Sequence, residues 1–159
     1  MTTEQTAQIS RCLRHSCALQ LPRFEQNNRR LSLDIPQEAE YLECRGSAHL
    51  FTEVFNNLIE NAYSHGMGAV MVSITVAEKL VQVHIRDEGE SLKDISLSLL
   101  STRFYKANSD TQGSGLGLSI VHSILPHISA NLTLSPSPTT CFTLSLPYLS
   151  QKAIRSPTK

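Results

Sequence analysis

The chain lacks the features that would suit it to a membrane or a nucleic acid. It contains no tryptophan, and its 14 basic and 14 acidic residues cancel, so no overall electrostatic field favours nucleic acid or an anionic lipid surface as the main partner. Residues 111–150 carry no Asp, Glu, Lys or Arg, but prolines interrupt them and serine and threonine are frequent. This composition argues against a membrane span. We therefore expect no nucleic-acid partner and no membrane contact by this domain.

Cysteine is also sparse, and its spacing matches no zinc or redox motif. The four residues are Cys12, Cys17, Cys44 and Cys141, and we expect no signal peptide before them. We interpret them as reduced thiols in a cytoplasmic domain. With 159 residues and 40% hydrophobic content, the chain is long enough for one globular domain with a sizeable core.

The first third of the chain predicts one helix and two strands. Apolar residues recur loosely at helical spacing over residues 4–28, although Pro22 interrupts them. Period-two alternation predicts a strand over residues 31–35. Residues 41–44 are able to pair with that strand.

Strands dominate the second half of the chain. Residues 69–76 and 80–86 are joined by a three-residue turn, which predicts a hairpin. The uncharged region 111–150 is interpreted as a buried helix followed by two strands.

The clearest helix covers residues 47–65. Ser47 can cap it, and a broad apolar stripe follows. Asn57 and Asn61 lie four residues apart beside that stripe and therefore on one face. Asparagine is a mediocre helix former, so the pair is either a polar helix edge or a ligand site in which an amide oxygen binds a hard cation such as Mg²⁺.

Two further motifs each allow a structural and a functional interpretation. Asp87 follows a strand and precedes Gly89, so it is either a turn former or an acceptor for a ligand NH₂ group such as that of adenine. The glycine-rich stretch of residues 113–117 runs directly into an apolar helical segment. It is either an ordinary connector or a phosphate-binding loop whose backbone N–H groups point at an anion.

Four motifs occur together in order along the chain. They are Asn57-Leu58-Ile59-Glu60-Asn61-Ala62, Asp87-Glu88-Gly89, Arg103-Phe104-Tyr105-Lys106 and Gly113-Ser114-Gly115-Leu116-Gly117-Leu118-Ser119-Ile120-Val121. In order and spacing they resemble the N, G1, F and G2 boxes of bacterial two-component sensor histidine kinases, which belong to the GHKL ATPase superfamily with gyrase, heat-shock protein 90 and MutL. The resemblance covers about residues 31–147.

The resemblance implies ATP and Mg²⁺ as cofactors. Asn61 would hold the metal that bridges the ATP phosphates, and Asn57 would act one turn earlier on a phosphate or a metal-bound water. Asp87 would bind the adenine amino group, and Gly89 would leave room for the ring. These are expectations from the family pattern.

The other boxes imply a nucleotide lid. Tyr105 and Lys106 would stand at its base, with Lys106 as the candidate catalytic cation that neutralises phosphate charge, and residues 107–112 would form the lid. The hinge and backbone phosphate contacts would come from the loop residues Gly113, Ser114, Gly115 and Gly117, anchored in the core by Leu116 and Leu118.

The implied fold is a two-layer α/β sandwich, with a mixed sheet of about five strands and helices on one face, known as the Bergerat fold. We expect residues 1–30 to be a helical segment from the side of a dimerisation hairpin, residues 31–148 to be the ATP-binding domain, and residues 149–159 to be a frayed tail. The isolated domain is expected to be a monomer.

The family's phosphoacceptor lies upstream in a context that neither His15 nor any other histidine here shares. The chain is therefore interpreted as the cytoplasmic catalytic domain of a membrane-bound sensor kinase. It would transfer the γ-phosphoryl group of ATP to a histidine on a separate helical hairpin of its parent kinase, with a response regulator downstream.

Two alternatives remain open. Glu90 and Ser91 replace the residues that usually follow the G1 glycine, and Ser64 and His65 replace a basic and aromatic pair after the N box. Glu90, Ser91 and the short lid motivate a non-catalytic nucleotide-binding or docking module on the same fold. A serine kinase of the anti-sigma type is a further possibility.

Overall fold

The computed structural model of the protein describes residues 5–89, 115–135 and 139–149. Its helices are α1, α2 and α3, at Ile9–Gln26, Ala48–His65 and Gly115–Ile124. Its strands β1 to β7 are Thr6–Gln8, Leu31–Asp34, Glu43–Arg45, Val70–Val76, Leu80–Arg86, Asn131–Ser135 and Cys141–Pro147. Short 3₁₀ turns at Gln37–Ala39 and Leu125–Ile128 complete the described elements.

Five strands form one mixed sheet in the order β2-β4-β5-β7-β6. The pair β2 and β4 is parallel, with Leu31 opposite Val70, and every other pair is antiparallel. The predicted hairpin is confirmed as β4 and β5, with Val76 opposite Val81 across the short turn. The predicted helix and two strands after residue 111 are confirmed as α3, β6 and β7.

The helices cover one face of this sheet. Alternate residues of the central strands, such as Val72, Val83 and Leu144, are buried in one hydrophobic core with the apolar stripe of α2. The opposite face carries polar side chains, and there His84 bonds Thr75 through Nε2 at 2.9 Å and Thr143 through Nδ1 at 3.0 Å. Because strand side chains alternate between faces, this pattern produces the predicted two-layer α/β sandwich.

Helix α1 is shorter at its start than predicted, and Pro22 lies inside it. Residues 6–8 are a strand, so the helix begins only at Ile9. Phe24, beyond the proline, is fully buried in the same core as α2, together with Ile9 and Leu13, and this packing holds the last turn in place. The assignment of residues 1–30 to a dimerisation hairpin stays a prediction.

One strand pairing in the sequence interpretation is wrong. Residues 43–45 do not pair with β2; β3 pairs with β1 in a separate two-stranded antiparallel sheet, with Ala7 opposite Cys44. The 3₁₀ turn after β2 carries the chain to the start of α1, where Ser10 Oγ donates to Glu40 O at 2.5 Å and Ile9 N donates to Leu42 O at 3.3 Å. These bonds bring β3 to β1 and away from the large sheet.

Within the described ranges, no helix combines the length and hydropathy needed to cross a bilayer.

Candidate nucleotide site

The best-defined element of the site is α2, which sequence and structure place almost identically. Ser47 caps it as predicted, because its Oγ accepts a hydrogen bond from Leu50 N at 3.1 Å. The cap fixes the start of the helix, and the buried stripe fixes its rotation against the sheet. Asn57 and Asn61 therefore lie on one face near the carboxyl end of α2.

Asn61 is the notable polar residue of this helix. Its side chain is only 2% exposed, and its Oδ1 has no hydrogen-bond partner among the described residues. A buried amide oxygen without a partner carries a desolvation cost of about 1–3 kcal/mol. Asn56 Oδ1 is also without a partner, but only Asn61 shares a helix face with Asn57.

Asn57 contacts the start of α3. Its Nδ2 donates to Glu53 O at 2.8 Å, which leaves Oδ1 facing the neighbouring helix. A Cβ on Gly117 would lie 3.1 Å from that oxygen. Glycine at this position therefore allows α3 to approach α2 closely, beside the predicted ligand residue.

Asp87 lies at the end of β5 and is 3% exposed. Its Oδ1 accepts hydrogen bonds from Gly89 N at 2.6 Å and from Met67 N at 3.4 Å. Both contacts go to one oxygen, so the carboxylate is held in a fixed orientation while Oδ2 lies beside Gly66. The side chain thus does more than close a turn.

The segment of residues 66–69 forms one wall around Asp87. Met67 O accepts from Glu88 N at 2.9 Å, and Ala69 N donates to Glu88 Oε1 at 3.0 Å. A Cβ on Gly66 would come within 2.3 Å of Asp87 Oδ2 and 2.5 Å of Ala62 O. Glycine after α2 is therefore required by the close approach of the carboxylate.

Electrostatics make the Asp87 carboxyl unusual. Burial raises its pKa above the ordinary value of 3.8, and the N–H groups of Gly89 and Met67 with the positive charges of Arg29 and Arg86 oppose that rise. Side chains with a shifted pKa are concentrated at functional sites, so the raised pKa of Asp87 supports a role in ligand binding. His65, at the end of α2, has its pKa lowered by burial.

Sequence reasoning missed Thr140, which holds Gly89 in position. Its backbone N and its Oγ1 both donate to Gly89 O, at 3.0 and 3.2 Å, and its O accepts from Asp87 N at 3.1 Å. Thr140 is buried. Nothing in the local pattern before β7 signals this role, because the contact spans more than fifty residues of chain.

The remaining site residues divide into two groups. In α3, Gly115 is the first helical residue, Leu116 follows it, and Leu118 is fully buried in the core. Tyr105, Lys106, Gly113, Ser114, Glu90, Ser91 and the expected lid at residues 107–112 lie outside the described residues. The structure therefore brings together Asn57 with Gly117, where α2 and α3 meet, and Asp87 with Gly89, just beyond the carboxyl end of α2.

A surface cavity of about 610 Å³ lies elsewhere, at the other end of the β4 and β5 hairpin. It is lined by residues such as Val76, Lys79 and Tyr148, and by none of the motif residues. This cavity is therefore separate from the candidate site, which is defined by its buried polar side chains and by the glycines packed closely against them.

Comparison with known proteins shows which family the chain is similar to. Residues 46–150 match the family of histidine kinase-, DNA gyrase B- and HSP90-like ATPases. The heme sensor protein HssS of Staphylococcus epidermidis is 32% identical over 111 residues, which are 69% of this chain and 24% of that protein. The histidine-protein kinase AfsQ2 of Streptomyces coelicolor is 35% identical over 59% of this chain and 18% of its own length.

Solved structures show the same fold. The catalytic domain of histidine kinase ThkA superposes with a TM-score of 0.74 at 19% identity, over 92% of this chain and 96% of that domain. The mycobacterial sensor histidine kinase MprB gives a TM-score of 0.69 at 18% identity, over 92% and 98%.

The chain spans about a quarter of the length of HssS. The matched residues run from the end of β3 to the end of the described chain and contain Asn57, Asn61, Asp87, Gly89 and Gly117. The chain therefore belongs to the histidine kinase-, DNA gyrase B- and HSP90-like ATPases, and it is an ATP-binding domain of the kind found in two-component sensor kinases.

Proposed function

We propose that this domain binds Mg-ATP between α2 and the start of α3, and donates the γ-phosphoryl group to a histidine on a separate helical hairpin. The observation that carries the proposal is Asn61 Oδ1, a buried acceptor without a partner among the described residues. Mg²⁺ prefers oxygen ligands and keeps several waters and substrate phosphates in its shell. One protein oxygen at this position therefore suits the chemistry of a nucleotide-bound Mg²⁺.

Asp87 is proposed to bind the base. Gly89 N and Met67 N already occupy Oδ1, so the carboxylate is oriented before a ligand arrives. A carboxylate accepts hydrogen bonds only, which selects a base with an exocyclic amino group. Gly89, buried and fixed by Thr140, presents no side chain beside the ring.

The phosphates are proposed to lie toward Asn57 and α3. The first N–H groups of a helix lack partners within the helix and favour an anion. Gly115 and Gly117 are at that end of α3, where the absence of side chains allows close approach. Lys106, with Tyr105 beside it in sequence, is proposed to supply a positive charge to the phosphates, and Gly113 and Ser114 further backbone contacts.

Bound Mg²⁺ would neutralise phosphate charge and orient the nucleotide for in-line transfer. The protein's own contribution is then mainly positioning: Asp87 fixes the base and Asn61 fixes the metal end. No histidine of this chain is proposed as the phosphoacceptor. We propose a hairpin of the parent kinase as the acceptor, a response regulator downstream, and a cytoplasmic location for this domain.

Binding and transfer can be tested separately. Titration calorimetry with ATP, with and without Mg²⁺, should show tighter binding with the metal. An added hairpin domain from a sensor kinase should then acquire acid-labile phosphate. Failure of the parent chain to bind ATP under either condition would contradict the proposal at its first step.

A second function is a nucleotide-binding docking module without transfer. Glu90 and Ser91 favour it, because a carboxylate that follows Gly89 in the sequence would repel an anionic nucleotide. Tight ATP binding with no phosphohistidine on any supplied hairpin would support this alternative. An acid-stable phosphoproduct would instead indicate transfer to serine.

A further inference from the structure

Arg29, between α1 and β2, is the most constrained cation in the described part of the chain. Its Nε donates to Gly68 O at 2.9 Å, and its Nη1 donates to Tyr63 O at 2.7 Å. The guanidinium lies 4.6 Å from the Tyr63 ring centroid and 5.6 Å from that of Phe24. Contacts with two rings and two carbonyls hold the charge in one place.

One hydrogen bond of Arg29 goes to the segment of residues 66–69 that lies against Asp87, and the other goes to the helix just before it. Tyr63 O belongs to the last turn of α2, and Gly68 O belongs to the segment of residues 66–69. On its other side the same segment contacts Asp87, through Met67 N at 3.4 Å and through the close approach of Gly66. Arg29 is therefore linked to Asp87 through residues 66–68, and no described hydrogen bond joins the two side chains directly.

Arg29 also contributes charge. Its Nη2 is buried and has no hydrogen-bond partner among the described residues, so this end of the guanidinium is removed from water. Together with Arg86 it opposes the rise in the pKa of Asp87 that burial causes. The elements around Asp87 carry other titratable groups, among them Tyr63 and His65 in the last turn of α2, His84 on β5, Glu88 after β5 and Cys141 at the start of β7. Burial lowers the pKa of His65 and of His84.

We propose that Arg29 is a positioning residue for the base site: it holds residues 66–68 against Asp87 and supplies the charge that favours the carboxylate form. This inference rests on the proposed function, in which Asp87 accepts a hydrogen bond from the adenine amino group. With Oδ1 occupied by two N–H groups, the base must be met by Oδ2. A proton on that oxygen would replace an acceptor with a donor and oppose the amino group.

A consequence of this arrangement is a lower pH limit for nucleotide binding, set partly by Arg29. Without the cation, Asp87 would protonate at higher pH and affinity would fall earlier on acidification. Arg23 provides a matched control, because its guanidinium lies over the same Tyr63 ring at 5.1 Å. Arg23 is exposed and pairs with Glu60 at 3.7 Å, and no hydrogen bond joins it to residues 66–69 among the described contacts.

The experiment measures Mg-ATP affinity from the ordinary carboxyl value of 3.8 up to about pH 8 for the parent chain and for Arg29→Met, Arg29→Gln, Arg29→Lys and Arg23→Met. Protonation of the nucleotide is common to all five proteins and cancels in the comparison. The Asp87 carboxyl is also titrated by carbon NMR without nucleotide. Arg29→Gln serves as the neutral variant if Arg29→Met does not fold.

We expect the neutral Arg29 variants to raise the midpoint of both titrations. Arg29→Lys should restore most of the difference, since it keeps the charge, and Arg23→Met should match the parent. Unchanged midpoints in the neutral variants, or an equal shift in Arg23→Met, would overturn the inference while leaving ATP binding by the parent intact. Absence of ATP binding by the parent at every pH would instead overturn the proposed function and the nucleotide part of this inference.

Discussion

The two sides of the candidate site differ in how completely their polar groups are bonded. Around Asp87, backbone N–H groups of Gly89 and Met67, both donors of Thr140, and the Glu88 contacts form a continuous set of hydrogen bonds. Near Asn61 the structure has a buried acceptor with no described partner. The Asp87 side, proposed to bind the base, is thus preorganised by the protein alone, whereas the Asn61 side, proposed to face the phosphates, has an acceptor that a cation could occupy.

This difference has a general physical reason. An aromatic base is uncharged and flat, so its recognition gains from donors and acceptors fixed in advance. The phosphates arrive with their own metal and waters, so a protein oxygen at that end must be left available. We expect substitutions on the base side to act with and without Mg²⁺, and substitutions on the phosphate side to act only with it.

Replacing Asp87 with Asn should have the largest effect on binding. The acceptor that faces the base would become an amide, and loss of one charge-assisted hydrogen bond corresponds to about a 10- to 100-fold weaker affinity for ATP. Calorimetry should show the same loss with and without Mg²⁺. Asp34→Asn, at an exposed position of β2, is the control, and ATP binding by Asp87→Asn equal to that of the parent would refute the base assignment.

Replacing Gly66 with Ala should disturb the base side through geometry. The new methyl would lie within 2.3 Å of Asp87 Oδ2 and 2.5 Å of Ala62 O, and such overpacking typically costs about 1–3 kcal/mol. Urea unfolding should show this loss, and ATP affinity should fall because the carboxylate has to move. The control is Ser64→Ala, at an exposed position in the last turn of α2, which should change neither quantity. A Gly66→Ala protein with unchanged stability and ATP affinity would contradict the described packing.

Replacing Asn61 with Ala should affect the phosphate side alone. Without its amide oxygen the domain would lose one metal ligand, and ATP affinity with Mg²⁺ should fall about 10-fold, the factor that corresponds to about 1.4 kcal/mol. Affinity without the metal should stay near the parent value. Asn56→Ala removes an acceptor that is also unpartnered on the same helix, so an equal effect of both substitutions would argue against a metal role for Asn61.

The parts of the molecule that could be predicted from the sequence are those that local signals determine. Helix α2, its Ser47 cap and the β4 and β5 hairpin depend on local signals, namely periodicity and turn length, and they were predicted nearly to the residue. The positions of Asn61 and Asp87 on those elements followed directly. Family resemblance then supplied their expected roles.

What the sequence could not provide is contact between distant parts of the chain. Arg29 lies 34 and 39 residues from the two carbonyls it contacts, and Thr140 lies 51 residues from Gly89. The strand of residues 6–8 is too short for alternation to be visible, so its pairing with β3 was missed. Such contacts depend on how the layers pack, for which a single sequence carries no periodic signal.

The smallest predicted effect is that of Asp87→Asn on stability: the substitution that weakens ATP binding should stabilise the fold. Because the pKa of Asp87 is raised in the folded state, the folded chain binds this proton more tightly than the unfolded chain, and the ionised carboxyl lowers stability at neutral pH. Asp87→Asn removes that cost but keeps an oxygen for Gly89 N. We expect its free energy of unfolding to exceed that of the parent near neutral pH.

This advantage should depend on pH in a defined direction. As the pH falls through the raised pKa of Asp87, protonation stabilises the folded parent, and the difference between the two proteins should shrink until the ordinary carboxyl value of 3.8 is reached. Urea unfolding at a series of pH values measures this directly, with Asp34→Asn as the exposed control. A gap that widens on acidification would mean that the hydrogen bonds from Gly89 and Met67 outweigh burial, and that the base side stabilises the fold instead of holding a costly charge for its ligand.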